Sequence, residues 1–311
     1  MKKTTLSGSR RQLKNTKGRE TDVLPFLLVV PALAVIAFVL VIPVFYGIFV
    51  SLFDCSFTDL DIRENFIGLQ NYIRMFQDET FLMSLRNTLI FAVFALLGDF
   101  VLGTLIAVAI NSLSKRWGGI FRAVITIALL VSPIVCGLIF RYFFDTNSGW
   151  FYWLSGLTVE QFPGVAGRIT AMFLCVLAHC WQTVPFVVIV LSAGLLTVPQ
   201  DYYEASSIDG AGTVIQFFRI TLPHLTNMYM VAAIISGVDT LKVYDIIYSL
   251  TNGGPMNSTI SLSLYAYKRA YTHYELGYAM AVSIFTMLLC VLIFGIPFSK
   301  YNRFKHEEGG M

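Results

Sequence analysis

Long apolar runs alternate with short polar stretches along this chain, and the runs are too long for the core of a soluble domain. A helix needs about 20 apolar residues to cross the hydrocarbon of a bilayer. Six segments approach or pass that length, at about 24–53, 83–113, 121–144, 168–196, 224–250 and 277–299. The pattern predicts an all-α, polytopic membrane protein with six transmembrane helices. A basic tail over 1–20 precedes a membrane domain over 21–300, and a second short tail covers 301–311. Composition agrees: 56% of the 311 residues are hydrophobic and 13% charged, which excludes an ordinary soluble domain.

Charge placement predicts which way the chain runs. The net charge is only +3, so it argues for topology and not for a nucleic-acid partner. Lys2, Lys3, Arg10, Arg11, Lys14, Lys17 and Arg19 crowd the first 20 residues, which have no helical apolar period and read as a disordered cytoplasmic tail. A signal peptide would also start basic, but Leu24 to Phe53 is about twice the usual apolar core of such a peptide. Pro25, Pro31 and Pro43 predict that this first helix is bent or broken. The next segment, 54–82, is acidic and belongs on the far side of the membrane. Lys115, Arg116 and Arg122 mark the cytoplasmic end of the second helix, as Lys300, Arg303 and Lys305 do for the sixth. Residues 145–167 read as an outer loop rich in Gly, Trp and Tyr, and TNGGP at 251–255 as a break on or near the outer side. Both termini then lie inside. Lys268 and Arg269, in a segment placed outside, count against this topology.

Chemistry of other kinds finds little support. Four of the five cysteines fall in apolar spans and Cys55 stands alone in an outer loop, so no exported pair is offered for a disulfide. There is no metal-ligand spacing, Walker A string, GxSxG or HExxH, so the chain is not expected to be an enzyme or to bind a cofactor. Polar groups inside the spans are more telling, because burying them is costly. Asp99 and His179 read as structural hydrogen-bonding groups between helices. The fifth span is denser, with Ser236, Asp239, Thr240, Lys242, Tyr244 and Asp245 before TNGGP. Asp239 and Lys242 are three apart and suit a pair on one face, yet so polar a helix should line something wet.

The longest polar interruption in the C-terminal half lies between the fourth and fifth spans, at 197–223. Its core, DYYEASSIDGAGTVIQFFRITLP from Asp201 to Pro223, has the pattern of a helix-turn-helix. Asp201 and Glu204 have capping-box spacing, Gly210 and Gly212 allow positive φ, and Thr213 with Gln216 repeats the start signal. Leu222-Pro223 should close the second helix. Small residues at Ala205, Ser206 and Ser207 would let another protein's backbone approach, and Glu204 could accept a charge-assisted hydrogen bond.

The order Glu204-Ala205-Ser206, then Gly210, then Ile220 and Leu222-Pro223 resembles the EAA loop of binding-protein-dependent ABC importers. The longer strings EASSIDGAG and ITLPHL are similar to the carbohydrate-uptake branch. Ser206 departs from the motif, standing where its second alanine would be. Further matches are the IGLxNY-like stretch at Ile67, Gly68, Leu69, Asn71 and Tyr72, and the RNT of Arg86, Asn87 and Thr88. Others are WQTVPF at 181–186, with its W-x-x-x-P pattern, and the T-x-G-G-P signature of Thr251, Gly253, Gly254 and Pro255. The resemblance covers about Leu24 to Ser299. It implies the permease fold and the transmembrane subunit of a bacterial carbohydrate importer in the cytoplasmic (inner) membrane. It also implies a second homologous permease or a second copy, two cytoplasmic ATPase subunits that use ATP and Mg, and an extracytoplasmic sugar-binding protein. Glu204, Ala205, Ser206, Asp209, Gly210, Gly212, Ile220, Leu222 and Pro223 would then dock the ATPase. Gln182, Thr183 and Phe186 in the fourth helix, with Ser236, Asp239 and Thr240 in the fifth, would line the sugar path. A secondary solute transporter is the competing reading, but it calls for two repeat halves with paired broken helices. A membrane-embedded enzyme or scaffold leaves the 201–223 stretch without a role. Copurification with an ATPase separates these readings.

Overall fold

The structure is a computed structural model that describes residues 23–56 and 65–295, with side chains from residue 29 onward. The basic tail, the 301–311 tail and the end of the sixth span lie outside the described residues. Two compact units divide at residue 47, and no β-strand longer than the single bridge Phe53–Phe66 forms among the described residues.

Each of three π turns is followed two positions later in the sequence by a proline. The first unit holds α1 (Val23–Ile36), and a π turn (Ala37–Val41) then leads into α2 (Ile42–Val50), so the first span does not break. Pro43 stands two residues after that turn. Proline lacks an N–H and its ring crowds the carbonyl four residues back, so a widened turn just before it relieves both problems. A second π turn (Phe217–Thr221) stands two residues before Pro223, and a third (Val291–Gly295) two residues before Pro297.

The second unit opens with α3 (Gln70–Gln77) and α4 (Glu79–Asn111). It continues with α5 (Lys115–Thr126), α6 (Pro133–Phe143), α7 (Trp150–Ser155) and α8 (Arg168–Leu195). Then come α9 (Gln200–Ile208), α10 (Thr213–Gln216), α11 (Leu222–His224) and α12 (Thr226–Leu241). Last are α13 (Asp245–Leu250), α14 (Leu262–Tyr271) and α15 (Leu276–Cys290). Among the described residues, four stretches are long and apolar enough to cross a membrane: Val29–Val50, Glu79–Asn111, Arg168–Leu195 and Leu276–Gly295. Lys115–Leu130 and Pro133–Phe143 make a fifth only as a pair bent by 94°. The expected span at 224–250 is not one helix. It stops at Leu241 and restarts at Asp245, and the Val243 carbonyl released by the break accepts from Ser261 Oγ at 2.7 Å.

Helices α4 and α8 pack along much of their length because α4 is bare where they cross. A Cβ on Gly98 would meet Cys180 Sγ at 2.6 Å, and one on Gly103 would meet Val187 Cγ1 at 2.6 Å. Close backbone approach between small residues is how membrane helices gain packing energy without a hydrophobic driving force.

Two of the motif stretches prove to be staples. Asn71 Nδ2 donates to the carbonyls of Ser51 and Phe53 at 2.9 and 3.1 Å, and the Tyr72 and Ser51 hydroxyls lie 2.7 Å apart. From α4, Asn87 Nδ2 donates to the Asn257 carbonyl at 2.9 Å, and Thr88 Oγ1 accepts the Leu262 amide at 2.9 Å. These bonds fix the irregular 251–261 stretch, where Asn252, Gly253, Met256 and Asn257 all have positive φ. Arg269, which argued against placing its segment outside, is neutralised by the acidic segment itself. It pairs with Asp78 and, at 3.1 Å, with Glu275, while Arg74 holds Glu275 at 2.7 Å. Burial would raise the Asp78 carboxyl, but the Tyr265 hydroxyl, the Thr80 and Phe81 amides and the Arg269 guanidinium together hold it below its ordinary value.

Candidate functional site: the α9–α10 loop and the polar rows of α8 and α12

The loop folds as the helix-turn-helix expected of it, but two of its caps differ. Pro199, not Asp201, is the N-cap residue of α9, and Asp201 lies in the first turn, where its charge still favours the helix N-terminus. Gly212, at φ −73°, is an extended N-cap for α10; only Gly210, at φ +80°, takes the left-handed form. The amides of Gly210 and Ala211 donate to the carbonyls of Ser207 and Ser206 at 3.1 and 2.9 Å. That double closure is the Schellman ending of a helix, and it requires φ > 0 at Gly210.

Gln216 is the residue that sequence reasoning missed, having been given only as a helix-start signal. Its Nε2 donates to Ser206 Oγ at 3.0 Å, to Ser207 Oγ at 2.9 Å and to the Tyr203 carbonyl at 3.4 Å. Tyr203 and Thr221 hydroxyls add a contact of 2.8 Å. The departure at Ser206 therefore has a use inside the loop, where the hydroxyl accepts from Gln216 and donates to the Tyr203 carbonyl. Glu204, Ala205, Asp209, Gly210, Gly212 and Pro223 are exposed, whereas Ile220 and Leu222 are half-buried. The loop also exposes four apolar side chains, Tyr202, Ile208, Val214 and Phe218, with Ile208 at 87%.

Pro223 does not end the second helix. The Leu222 amide donates to the Phe217 carbonyl across the π turn. Leu225 then donates to Thr221 at 3.1 Å and Tyr229 to Leu225 at 2.9 Å, so helical bonding passes from α10 through α11 into α12. The second helix of the loop, α10, and the polar fifth helix form one helical piece.

Polar side chains within the helices are mostly committed to the chain itself. Asp99 is fully buried; Thr183 Oγ1 donates to its Oδ1 at 2.7 Å, and His179 Nε2 faces Oδ2 at 3.5 Å without a hydrogen bond. Gln182 Nε2 donates to the Val131 carbonyl at 2.6 Å, satisfying the backbone where α5 and α6 bend apart. Phe186 is half-buried against the cluster formed by Ala107, Val184, Val187 and Leu191. In α12, Ser236 and Thr240 are buried; Thr240 Oγ1 donates to the Ser236 carbonyl, and Ser236 Oγ is without a partner. Asp239 alone of the six looks outward. It lies on the exposed face that also carries Val231 and Ile235, and pairs with Lys242 at 2.9 Å, both side chains being more than half exposed. No cluster of His, Cys, Asp and Glu among the described residues could hold a metal ion.

Residues 99–297 match the model of a family described as the binding-protein-dependent transport system inner membrane component. The chain belongs to this family. A curated relative, the trehalose/maltose transport system permease protein MalF of Thermococcus litoralis, is 36% identical over 91% of this chain and 95% of its own length. The sulfoquinovosyl glycerol transport system permease protein SmoG of Agrobacterium fabrum is 34% identical over 86% of this chain and 87% of its own. Among solved structures, a bacterial ABC transporter involved in the import of the acidic polysaccharide alginate matches 91% of this chain and 96% of its own, with a TM-score of 0.78. At 21% identity that match shows the shared fold. The chain is therefore a multi-pass membrane permease of the ABC importer class.

Proposed function

We propose that this chain is a transmembrane permease subunit of a binding-protein-dependent ABC importer for a sugar or oligosaccharide. The observation that carries the reading is the α9–α10 loop. Its hydrogen bonds are spent internally and tie α9 to α10, leaving Glu204 and exposed apolar side chains free for a partner, and α10 is helically continuous with α12. A push on the loop would therefore reach the interior through a rigid element and rock the subunit between inward- and outward-open states.

The partners are a second homologous permease or a second copy, two cytoplasmic ATPases that use ATP and Mg, and an extracytoplasmic sugar-binding protein. This chain binds no cofactor of its own and no nucleic acid, and contacts lipid and carbohydrate. The structures with this fold include an alginate ABC transporter in complex with an alginate pentasaccharide-bound periplasmic protein. Asp239 lines the sugar path directly, while Gln182 and Thr183 shape it by holding the bend after α5 and the Asp99 carboxylate. The chain crosses the bacterial cytoplasmic membrane six times, α12 and α13 together making the broken fifth crossing, with both termini inside.

Purification of the complex and reconstitution with its binding protein tests this. An ATPase subunit should copurify, and saccharide uptake should require ATP. Uptake driven by an ion gradient without an ATPase would make the chain a secondary transporter. Topology is read with impermeant thiol reagents. Cys55 is buried, so the outer reporter is a cysteine replacing exposed Asp54, and the inner one replaces Ser207. Labelling of both from one side overturns the six-crossing topology.

A further inference from the structure

Four tyrosines form a continuous row at the break in the fifth span. Tyr244 and Tyr248 stack nearly parallel, with centroids 5.3 Å apart and planes at 16°. Tyr267 from α14 meets both, at 5.1 and 5.9 Å, and Tyr271 follows Tyr267 at 4.9 Å. Two short helices position them: Tyr244 is the N-cap residue of α13 with Tyr248 inside it, and the i, i+4 spacing of Tyr267 and Tyr271 puts that pair on one face of α14. Tyr248, Tyr267 and Tyr271 are 40%, 37% and 57% exposed, so these three are not core, while Tyr244 is half-buried against it and backs the row.

Tyrosines at membrane interfaces are ordinarily anchors, each with its ring among the lipid headgroups. Two features oppose that role here. The rings touch one another in sequence instead of standing apart. The same short stretch also carries charge: the exposed Asp239–Lys242 pair precedes Tyr244, Asp245 follows it, and Lys268 adjoins Tyr267. Exposed charges are costly against lipid and natural on a wet surface.

We propose that Tyr244, Tyr248, Tyr267 and Tyr271 form a stacking track for successive pyranose rings of an oligosaccharide, beside Asp239 and Lys242, which take its hydroxyls. The proposal rests on the sugar-permease reading and adds a binding site and a preference for length. The C–H face of a sugar ring is apolar and packs on the electron-rich face of an aromatic ring, while the phenol hydroxyls, Asp239 and Lys242 supply acceptors and donors at the margin. A row of rings engages several sugars at once, so its contribution grows with chain length. A structural cluster would show no such dependence.

The test uses the reconstituted complex with its binding protein and measures uptake of trehalose, maltose, maltotetraose and diacetylchitobiose. Each of Tyr248, Tyr267 and Tyr271 is replaced by Phe, which keeps the stacking face, and by Leu, which keeps apolar bulk without it. The Leu variants should raise KM for the longest transported saccharide about tenfold, less for a disaccharide, with kcat kept, as expected when binding alone is weakened. The Phe variants should stay within a few-fold of wild type. Unchanged KM in the Leu variants overturns the track, as does a loss independent of saccharide length or a failure of Phe to rescue. Tyr271, the most exposed ring, carries the least risk of misassembly, and its Leu variant decides if the others do not assemble. A wild-type complex that takes up no saccharide at all overturns the permease reading instead.

Discussion

In the α9–α10 loop, polar side chains bond to one another within about twenty residues of sequence, and what they leave exposed is the face we propose for docking. In α8 and the buried face of α12, similar side chains bond to distant or vertical neighbours and leave almost nothing open. Thr183 reaches Asp99 on α4 and Gln182 reaches Val131 at the bend, whereas Gln216 reaches only Ser206, Ser207 and Tyr203. The difference is one of range. A local motif carries its partners in its own spacing, while a polar group in a membrane helix takes its role from whichever helix packs against it.

The largest effect expected from this comparison is in the interior. Asp99→Ala removes the link from Thr183 to α4, leaving its hydroxyl only the His179 carbonyl, and removes the carboxylate facing His179; it should cost about 1–3 kcal/mol of stability. Thermal or denaturant unfolding of the purified subunit measures it. Unchanged stability with a raised KM for sugar would return Thr183 to the sugar path and erase the contrast between the two regions.

A change at the loop should act on function instead. Glu204→Ala is expected to leave insertion and stability intact while weakening ATPase docking roughly ten- to a hundredfold, the worth of a charge-assisted hydrogen bond. Gly210→Pro should do at least as much, because proline cannot adopt the positive φ that the turn requires. Gln216→Ala sharpens the point: it never touches the partner in this reading, yet loosening α9 from α10 should lower coupling a few-fold. Wild-type uptake and ATP hydrolysis in the Glu204→Ala complex would end the docking role.

The smallest stability effect belongs to the exposed face of α12. Asp239→Asn and Lys242→Met break an ion pair whose side chains are both more than half exposed, so each should shift stability by less than about 1 kcal/mol. Uptake then discriminates. Loss of uptake in the intact Asp239→Asn complex supports a sugar contact, and equal loss of assembly in both variants makes the pair structural.

The membrane class, the helix-turn-helix at 201–223 and the break at TNGGP could be read from the sequence. Each follows from apolar run length or from residues whose backbone preference acts locally, as at Gly210 and Gly253. Three things depended on the tertiary structure. Pro223 looked like a terminator, but a π turn carries the helix past it into α12. Asn87, Thr88, Asn71 and Tyr72 were visible as motif residues, but their work as staples depends on carbonyls, a hydroxyl and an amide up to 174 positions away. Gln182 and Thr183 had the chemistry of sugar ligands, and only the arrival of α4 and of the bend after α5 assigned them to the protein's own backbone and carboxylate. Sequence determined what could be local, since turn geometry and apolar length need no partner. The destination of a buried polar group was decided by the fold, since a hydrogen bond exists only where two groups are brought within reach.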